Sequence, residues 1–266
     1  MTDKILMCRP DYYGIKYEIN PWMNINVQAD NKKANIQWEN LYSILKDDLK
    51  ADVKLVPPMP DVPDMVFTAN AAVMYDKKAI MSRFKYPQRQ PEEKYYGDWF
   101  KENGYETVWM PNKIAFEGAG DALYLKDILF SGYVPRTDIQ AHSWISNFLG
   151  IQVISLELVN KSFYHIDTCF CPLTDDFLIY YPDAFDSYGN MVIERYVPDE
   201  KRIKVNEEEA SYFTCNAVNI GKNVVTNLTT KRFSNLLKEK GFNHMQTDMS
   251  EYMKAGGACK CLTLKI

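Results

Sequence analysis

Two Cys-x-Cys pairs, Cys169/Cys171 and Cys259/Cys261, and three histidines, His142, His165 and His244, are the residues here with the widest chemical reach. A nucleophilic cysteine needs a neighbour that takes up and returns protons, and a partner that orients the group under attack. That neighbourhood is spatial, not sequential. His165 stands two residues before Asp167 and would share one face of a strand with it. Glu117 and Asp121 flank Gly118-Ala119-Gly120. Such a segment is an ordinary turn or a cation receptor, and a guanidinium is the cation that pairs bidentately with carboxylates. Asp64 adds an acid ahead of an apolar run, where it serves equally well as a strand start. Arg89 and Arg136 lie in loop-like sequence; they are either solvated surface charges or a clamp for a carboxylate. Cys261 follows Gly256-Gly257, which permit close backbone approach. Buried cysteines are more often structural than reactive, and spacing alone does not choose between Cys259 and Cys261. The pairs are tighter than the Cys-x₂₋₄-Cys spacing of structural zinc sites, so a metal is weakly supported and none is expected.

These residues fall within a repeat. Segments opening at Phe67, Phe116, Tyr164, Phe213 and Ala258 each join a polar turn to an apolar strand, at intervals of 49, 48, 49 and 45 residues. The first and fourth copies agree best, Phe67-Thr-Ala-Asn-Ala71 against Phe213-Thr-Cys-Asn-Ala217. Helical spacing marks Trp38 to Leu45, Pro91 to Gly104, Thr137 to Leu149 and Lys231 to Lys240. Further apolar runs, Val53–Val56, Thr107–Met110 and Gln152–Leu156, follow three of these as second strands. Each unit mixes strands with one helix and cannot bury its apolar face alone. Radial closure of five units would bury it and bring Asn70, Glu117, His165, Asp167 and Cys261 to the axis. The expected fold is therefore α/β, a small five-bladed propeller in one domain over residues 1–266.

The bulk numbers agree. Hydrophobic residues are 46% and charged residues 25% of the 266, with 18 Tyr, 13 Phe and 5 Trp, enough for a sizeable core. A net charge of −4 argues against a nucleic-acid partner. No run approaches the roughly 18 apolar residues of a membrane helix, and the N-terminus lacks a signal-peptide core. A cytoplasmic protein with free thiols, a small-molecule substrate, no cofactor and no membrane partner is expected; a homo-oligomer is compatible with the sequence.

Four segments together resemble the guanidine-modifying enzyme superfamily, whose fold is a five-bladed ββαβ propeller (pentein) with pseudo-fivefold symmetry. They are Asp64-Met-Val-Phe-Thr-Ala-Asn70, Phe116-Glu-Gly-Ala-Gly-Asp121, Tyr164-His-Ile-Asp-Thr168 and Gly256-Gly-Ala-Cys-Lys-Cys-Leu-Thr263. The resemblance spans nearly the whole chain. It implies Cys261 as nucleophile, because Cys261-Leu262-Thr263 fits the family pattern and Cys259 does not. It further implies His165 as general acid/base, Glu117 and Asp167 as guanidinium-binding acids, Asp64 at the substrate α-amino group, and Arg89 and Arg136 at the α-carboxylate. Asn70 stands where deiminases, amidinotransferases and dimethylarginine hydrolases carry Asp, and Asp167 is an acid that dimethylarginine hydrolases usually lack. Within that superfamily the chain resembles in particular the arginine dihydrolase domain of cyanobacterial arginine-catabolic proteins, a likeness that includes Ile19-Asn-Pro-Trp-Met23, Phe170-Cys-Pro-Leu173 and Ala184-Phe-Asp-Ser-Tyr188. The resemblance thus implies hydrolysis of arginine to ornithine, carbon dioxide and two ammonia, with deimination or dimethylarginine hydrolysis to citrulline as the alternative. Asn20 is a further candidate at the site. The chain ends five residues after Cys261, so the ornithine-processing module that some of those proteins carry is expected to be absent. A binding protein that only senses arginine and a zinc protein are the remaining rivals.

Overall fold

The computed structural model describes residues 2–111 and 113–266. Its strands pair locally and in one recurring pattern. Strands β3 (Ala72–Tyr75) and β4 (Lys78–Met81) form an antiparallel hairpin, then helix α2 (Glu92–Glu102) returns the chain so that β5 (Glu106–Trp109) runs parallel to β4. The reversal needs only a tight turn, made here with Asp76 at φ 51°. Parallel pairing needs a longer crossover, and the helix supplies it.

The next units repeat this plan. Strands β6 (Ala122–Leu125), β7 (Ile128–Tyr133) and β8 (Val153–Glu157) enclose helix α3 (Ile139–Leu149). Strands β9 (Phe170–Pro172), β10 (Leu178–Tyr180) and β11 (Arg202–Lys204) enclose α4 (Ser187–Tyr196), and a short helix α5 (Glu207–Ser211) follows. Strands β12 (Val218–Ile220), β13 (Asn223–Thr226) and β14 (Asn243–Gln246) enclose α6 (Lys231–Glu239).

The last sheet is composite. Strand β15 (Leu264–Lys265), reached through α7 (Ser250–Met253), pairs antiparallel with β1 (Lys4–Cys8), which pairs parallel with β2 (Asp52–Val56) across α1 (Asn31–Ser43). The two ends of the chain thus close the ring in one three-stranded sheet. Five sheets of three strands, each built ββαβ, make the expected five-bladed propeller.

The four helices expected from the sequence appear as α1, α2, α3 and α6, but α1 starts at Asn31, seven residues before the expected Trp38, and α4, α5 and α7 lie outside the expectation. In α1 the Asp30 carboxylate accepts from the Lys32 and Lys33 amides, and Ala34, Gln37, Trp38 and Leu41 lie buried at helical spacing. Gly150 ends α3 in the left-handed region at φ 66°. Apolar clusters fill the spaces between blades, for example Phe130, Phe170, Phe185 and Phe233 in one and Trp38, Phe67, Phe213 and Tyr252 in another. Among the described residues no helix is long and apolar enough to cross a membrane.

Candidate active site

Each innermost strand is preceded by a tight turn, and the five turns meet at the axis. Three are short 3-10 helices, Thr68–Asn70, Gly118–Gly120 and Ile166–Thr168. The fourth and fifth are turns at 213–216 and 259–262. Hydrogen bonds join every turn to the next. The Ala69 amide donates to the Cys261 carbonyl (3.1 Å), and the Asn70 side chain donates to the Glu117 carbonyl (3.2 Å). The Ile166 amide donates to the Asp121 carboxylate (3.2 Å) and the Asn216 side chain to the Asp167 carbonyl (3.0 Å). The Lys260 amide donates to the Asn216 carbonyl (3.1 Å) and completes the circuit. A closed ring fixes the side chains it carries more firmly than separate loops would.

Cys261 is buried in this ring. Its Sγ accepts from Asn216 Nδ2 at 3.1 Å and faces the Asp167 carboxylate at 3.4 Å and 3.7 Å. Asn216 also accepts from the Ala258 and Cys261 amides with its Oδ1, so one side chain holds both the sulfur and the backbone behind it. Gly257 lies against Phe67 and the Cys261 Cβ, where any side chain would collide. Cys259 is also buried and shares an apolar cluster with Cys261, but it does not line the pocket that Cys261 lines.

His165 reaches Glu117 instead: its Nε2 lies 2.7 Å from Glu117 Oε2. The same oxygen accepts from Arg136 Nη1 at 2.8 Å. The Arg136 guanidinium lies between the Tyr86 and Tyr164 rings (4.8 and 4.6 Å to the ring centres), and its Nη2 donates to the Ile19 carbonyl. Arg89 is held by Glu92 through two bonds of 2.8 Å and donates to Asn70 Oδ1 at 2.9 Å. Asp64 stands 3.9 Å from Arg89 Nε. Asn20, Asp64, Asn70, Arg89, Arg136 and Cys261 line one cavity, whose free space of about 10 Å³ is roughly that of one water.

The sequence-derived candidates therefore converge, with two corrections. His165 and Asp167 do not share a strand face. His165 is extended but residues 166–168 curl into a 3-10 turn, which sends the imidazole to Glu117 and the carboxylate to Cys261. Asp121 is not half of a cation receptor: its carboxyl accepts from the Thr137 hydroxyl at 2.7 Å and from the Ile166 amide. The residue missed was Asn216. It occupies the position in the fourth repeat that Asn70 occupies in the first, so the repeat itself carried the signal.

Burial and charge set the protonation states. Burial pushes the Cys261 thiol well above its ordinary value, Asp167 adds to the effect, and the Asn216 amide opposes it. Burial also raises Asp167 to about 6, against the pull of the Lys260 charge. Burial lowers His165 to about 4, opposed by its bond to Glu117. Burial alone would raise Glu117, but the charges of Arg136 and Arg89 and the hydrogen bond to His165 outweigh it and hold the carboxylate well below its usual range. At neutral pH the resting site thus holds a thiol, a neutral imidazole and ionised Glu117 and Asp167. With Nε2–H directed at Glu117, Nδ1 is the nitrogen free to accept a proton.

A family model described as "N,N dimethylarginine dimethylhydrolase, eukaryotic" matches residues 15–266. The bifunctional arginine dihydrolase/ornithine cyclodeaminase ArgZ of Synechocystis is 45% identical over 266 residues, 99% of this chain, and the chain spans only 37% of that protein's length. The N(G),N(G)-dimethylarginine dimethylaminohydrolase of Mycobacterium tuberculosis is 37% identical over all of this chain and 86% of its own length. Crystal structures of the ArgZ N-terminal domain have a reaction intermediate covalently bound, the substrate or the product. They match with TM-scores of 0.97, 0.96 and 0.97 at 45% identity, covering at least 99% of this chain and 97% of theirs. The chain belongs to the N,N-dimethylarginine dimethylhydrolase family, within the guanidine-modifying superfamily of pentein fold.

Proposed function

We propose that residues 1–266 form a single catalytic domain that hydrolyses L-arginine to ornithine, carbon dioxide and two ammonia through a thiouronium on Cys261. The observation that carries this reading is the buried Cys261 thiol, held by Asn216 and facing the Asp167 carboxylate, in a cavity walled by Asn70, Asp64, Arg89 and Arg136. The name of the Synechocystis relative and the covalent intermediate trapped in its domain support it.

Glu92 and Glu117 are paired with Arg89 and Arg136, whereas Asp167 has no arginine partner among the described residues and feels the Lys260 charge without a direct ion pair, so its carboxylate is open to a cationic ligand. The substrate guanidinium sits against Asp167, which brings its carbon to Sγ. Its positive charge offsets the carboxylate that holds the thiol protonated, so the substrate itself favours the thiolate. The thiol proton passes to Nδ1 of His165, and Sγ bonds to the guanidinium carbon. His165 then protonates the departing ammonia and leaves the thiouronium. Glu117 orients the ring and stabilises its charged form. Water, deprotonated by His165, attacks the same carbon; the S–C bond breaks to give citrulline and the thiol. The α-amino group faces Asp64. The α-carboxylate faces Arg89 and Arg136, whose buried Nε has no hydrogen-bond partner among the described residues. Asn20 donates to the Ala255 carbonyl and accepts from the Trp22 and Met23 amides, so it shapes the covering segment.

A dihydrolase repeats the attack on the ureido carbon. Asn70 suits that second round, since an amide both donates and accepts where an ionised Asp only accepts. Asn70→Asp should therefore release citrulline, and a variant that still yields only ornithine would remove this role. The family description and the mycobacterial relative favour a second reading, release of citrulline from arginine or its methylated forms. Mass spectrometry of products from L-arginine, with Cys261→Ser alongside, decides between them. Ornithine with two ammonia, lost in the variant, is the expected result; citrulline with one ammonia selects the second reading. No turnover of arginine or dimethylarginine refutes both.

A further inference from the structure

The propeller axis has two ends, and the pocket of Cys261 uses only one. On the far side of the ring of turns lies a separate cavity of about 410 Å³, which shares no lining residue with the first. Its wall is the inner strand of every blade, represented by Val73, Leu123, Phe170, Val218 and Leu264. The lining contains no carboxylate. It does contain Lys260, which belongs to the ring turn and thus lies at the base of the cavity. The Lys260 amine donates to the Thr263 carbonyl at 3.2 Å and forms no ion pair among the described residues. The other two lysines of the lining, Lys126 and Lys265, are exposed and already paired with Asp176 and Asp3.

A concave apolar site of this size with one convergent charge is the usual form of a small-molecule site. The single charge selects the ligand. The Lys260 ammonium is half-buried and feels the Asp167 charge without a direct ion pair, so it can still pair with a carboxylate, and an apolar wall leaves a multiply charged anion such as phosphate without donors for its remaining oxygens. We propose that the axial cavity binds a small monocarboxylate with an apolar body, its carboxylate on Lys260 Nζ and its hydrocarbon against the inner strands. This proposal does not depend on the reaction assigned to Cys261.

Calorimetric titration of the purified protein with hexanoate, phenylacetate and hexan-1-ol tests it. Saturable binding of one equivalent is expected, with the acids about tenfold or more tighter than the alcohol, since a charge-assisted bond is lost in the alcohol. In Lys260→Met the acid and alcohol should bind within about twofold of each other. In Leu123→Trp, which fills the cavity, neither should bind. Where Lys260→Met does not fold, the acid–alcohol difference and Leu123→Trp decide by themselves. No saturable binding up to about 10 mM would reduce the cavity to a water-filled channel and overturn the proposal. Equal binding by wild type and Lys260→Met would assign the carboxylate to Arg89 and Arg136 and overturn it too.

Discussion

Replacing Asn216 by Ala tests whether the nucleophile is positioned by the ring or merely buried in it. The side chain makes four hydrogen bonds of 3.0–3.1 Å: to Sγ, to the Asp167 carbonyl, and from the Ala258 and Cys261 amides. Alanine leaves two buried amides and a carbonyl without partners. At about 1–3 kcal/mol for each such group, less what local relaxation recovers, about 3 kcal/mol of stability should be lost. The thiolate loses a donor to a charged atom, worth about 1.5–3 kcal/mol, which converts to about a 10- to 150-fold fall in kcat/KM. The thiol should also titrate higher, because the Asn216 amide is one of the groups that hold it down. Ammonia release from arginine gives the fall in kcat/KM, the pH dependence of alkylation by iodoacetamide gives the shift of the thiol, and thermal unfolding gives the loss of stability. Asn216→Asp separates the two roles. It keeps the acceptor for both amides, so it should lose less stability, but it adds a negative charge beside the sulfur and should lose at least as much rate. A folded Asn216→Ala protein within about threefold of wild-type kcat/KM would refute the argument.

Two further outcomes follow from the same geometry. In the proposed mechanism Asp167 holds the guanidinium as a carboxylate; burial raises it to about 6, so protonation below that pH would remove the charge that role requires. The kcat/KM for arginine should fall about tenfold per pH unit below 6, and a profile flat down to pH 5 would exclude Asp167 from that role. Gly256 has φ 86°, and a Cβ there would lie 2.8 Å from the Tyr164 ring. Gly256→Ala should cost about 1–3 kcal/mol and lower Tm by about 3–8 °C in a calorimetric scan; an unchanged Tm would show that the turn relaxes freely.

The spacing of the repeats makes the fold legible in the sequence, because each copy is one supersecondary unit and the spacing survives divergence. Which atoms meet was less legible. The resemblance implies His165 as general acid/base and Glu117 as a guanidinium-binding acid; that the Glu117 carboxylate is instead taken by His165 and Arg136 depends on how two turns curl. The strand-face argument failed at Asp167 for the same reason: alternation holds only where the backbone stays extended, and residues 166–168 do not. Asp121 looked like a second ligand acid because sequence cannot reveal the Thr137 hydroxyl that occupies it. Asn216 was visible in the repeat, yet an amide beside a cysteine advertises no chemistry until its four partners are seen.

The size of the cavity leads to a last prediction. It has room for about one water, and arginine is many times larger, so a wall must move. Residues 9–30 have neither helix nor strand and contribute Ile19, Asn20 and Met23 to that wall. Around the pocket the segment is held by Tyr13 to the Glu251 carbonyl, Asn20 to the Ala255 carbonyl, Trp22 Nε1 to the Ser162 carbonyl at 2.7 Å, and Arg136 to the Ile19 carbonyl, and towards its ends by the Arg9–Glu39 ion pair, Lys254 to the Gln28 carbonyl and the Asp30 amide to the Glu251 carboxylate. Irregular backbone tied by a handful of side-chain bonds opens more easily than the strands beneath it. Trp22→Phe keeps an aromatic ring against Phe213, which the indole now meets at 4.6 Å, and removes only the bond to Ser162. That bond is worth about 1 kcal/mol, so the open fraction should rise about fivefold. Amide hydrogen exchange at residues 19–23 should quicken by the same factor while exchange in β4 and β7 stays unchanged. If exchange over 19–23 is unaltered, or if the whole protein exchanges faster, the segment is not the element that admits the substrate.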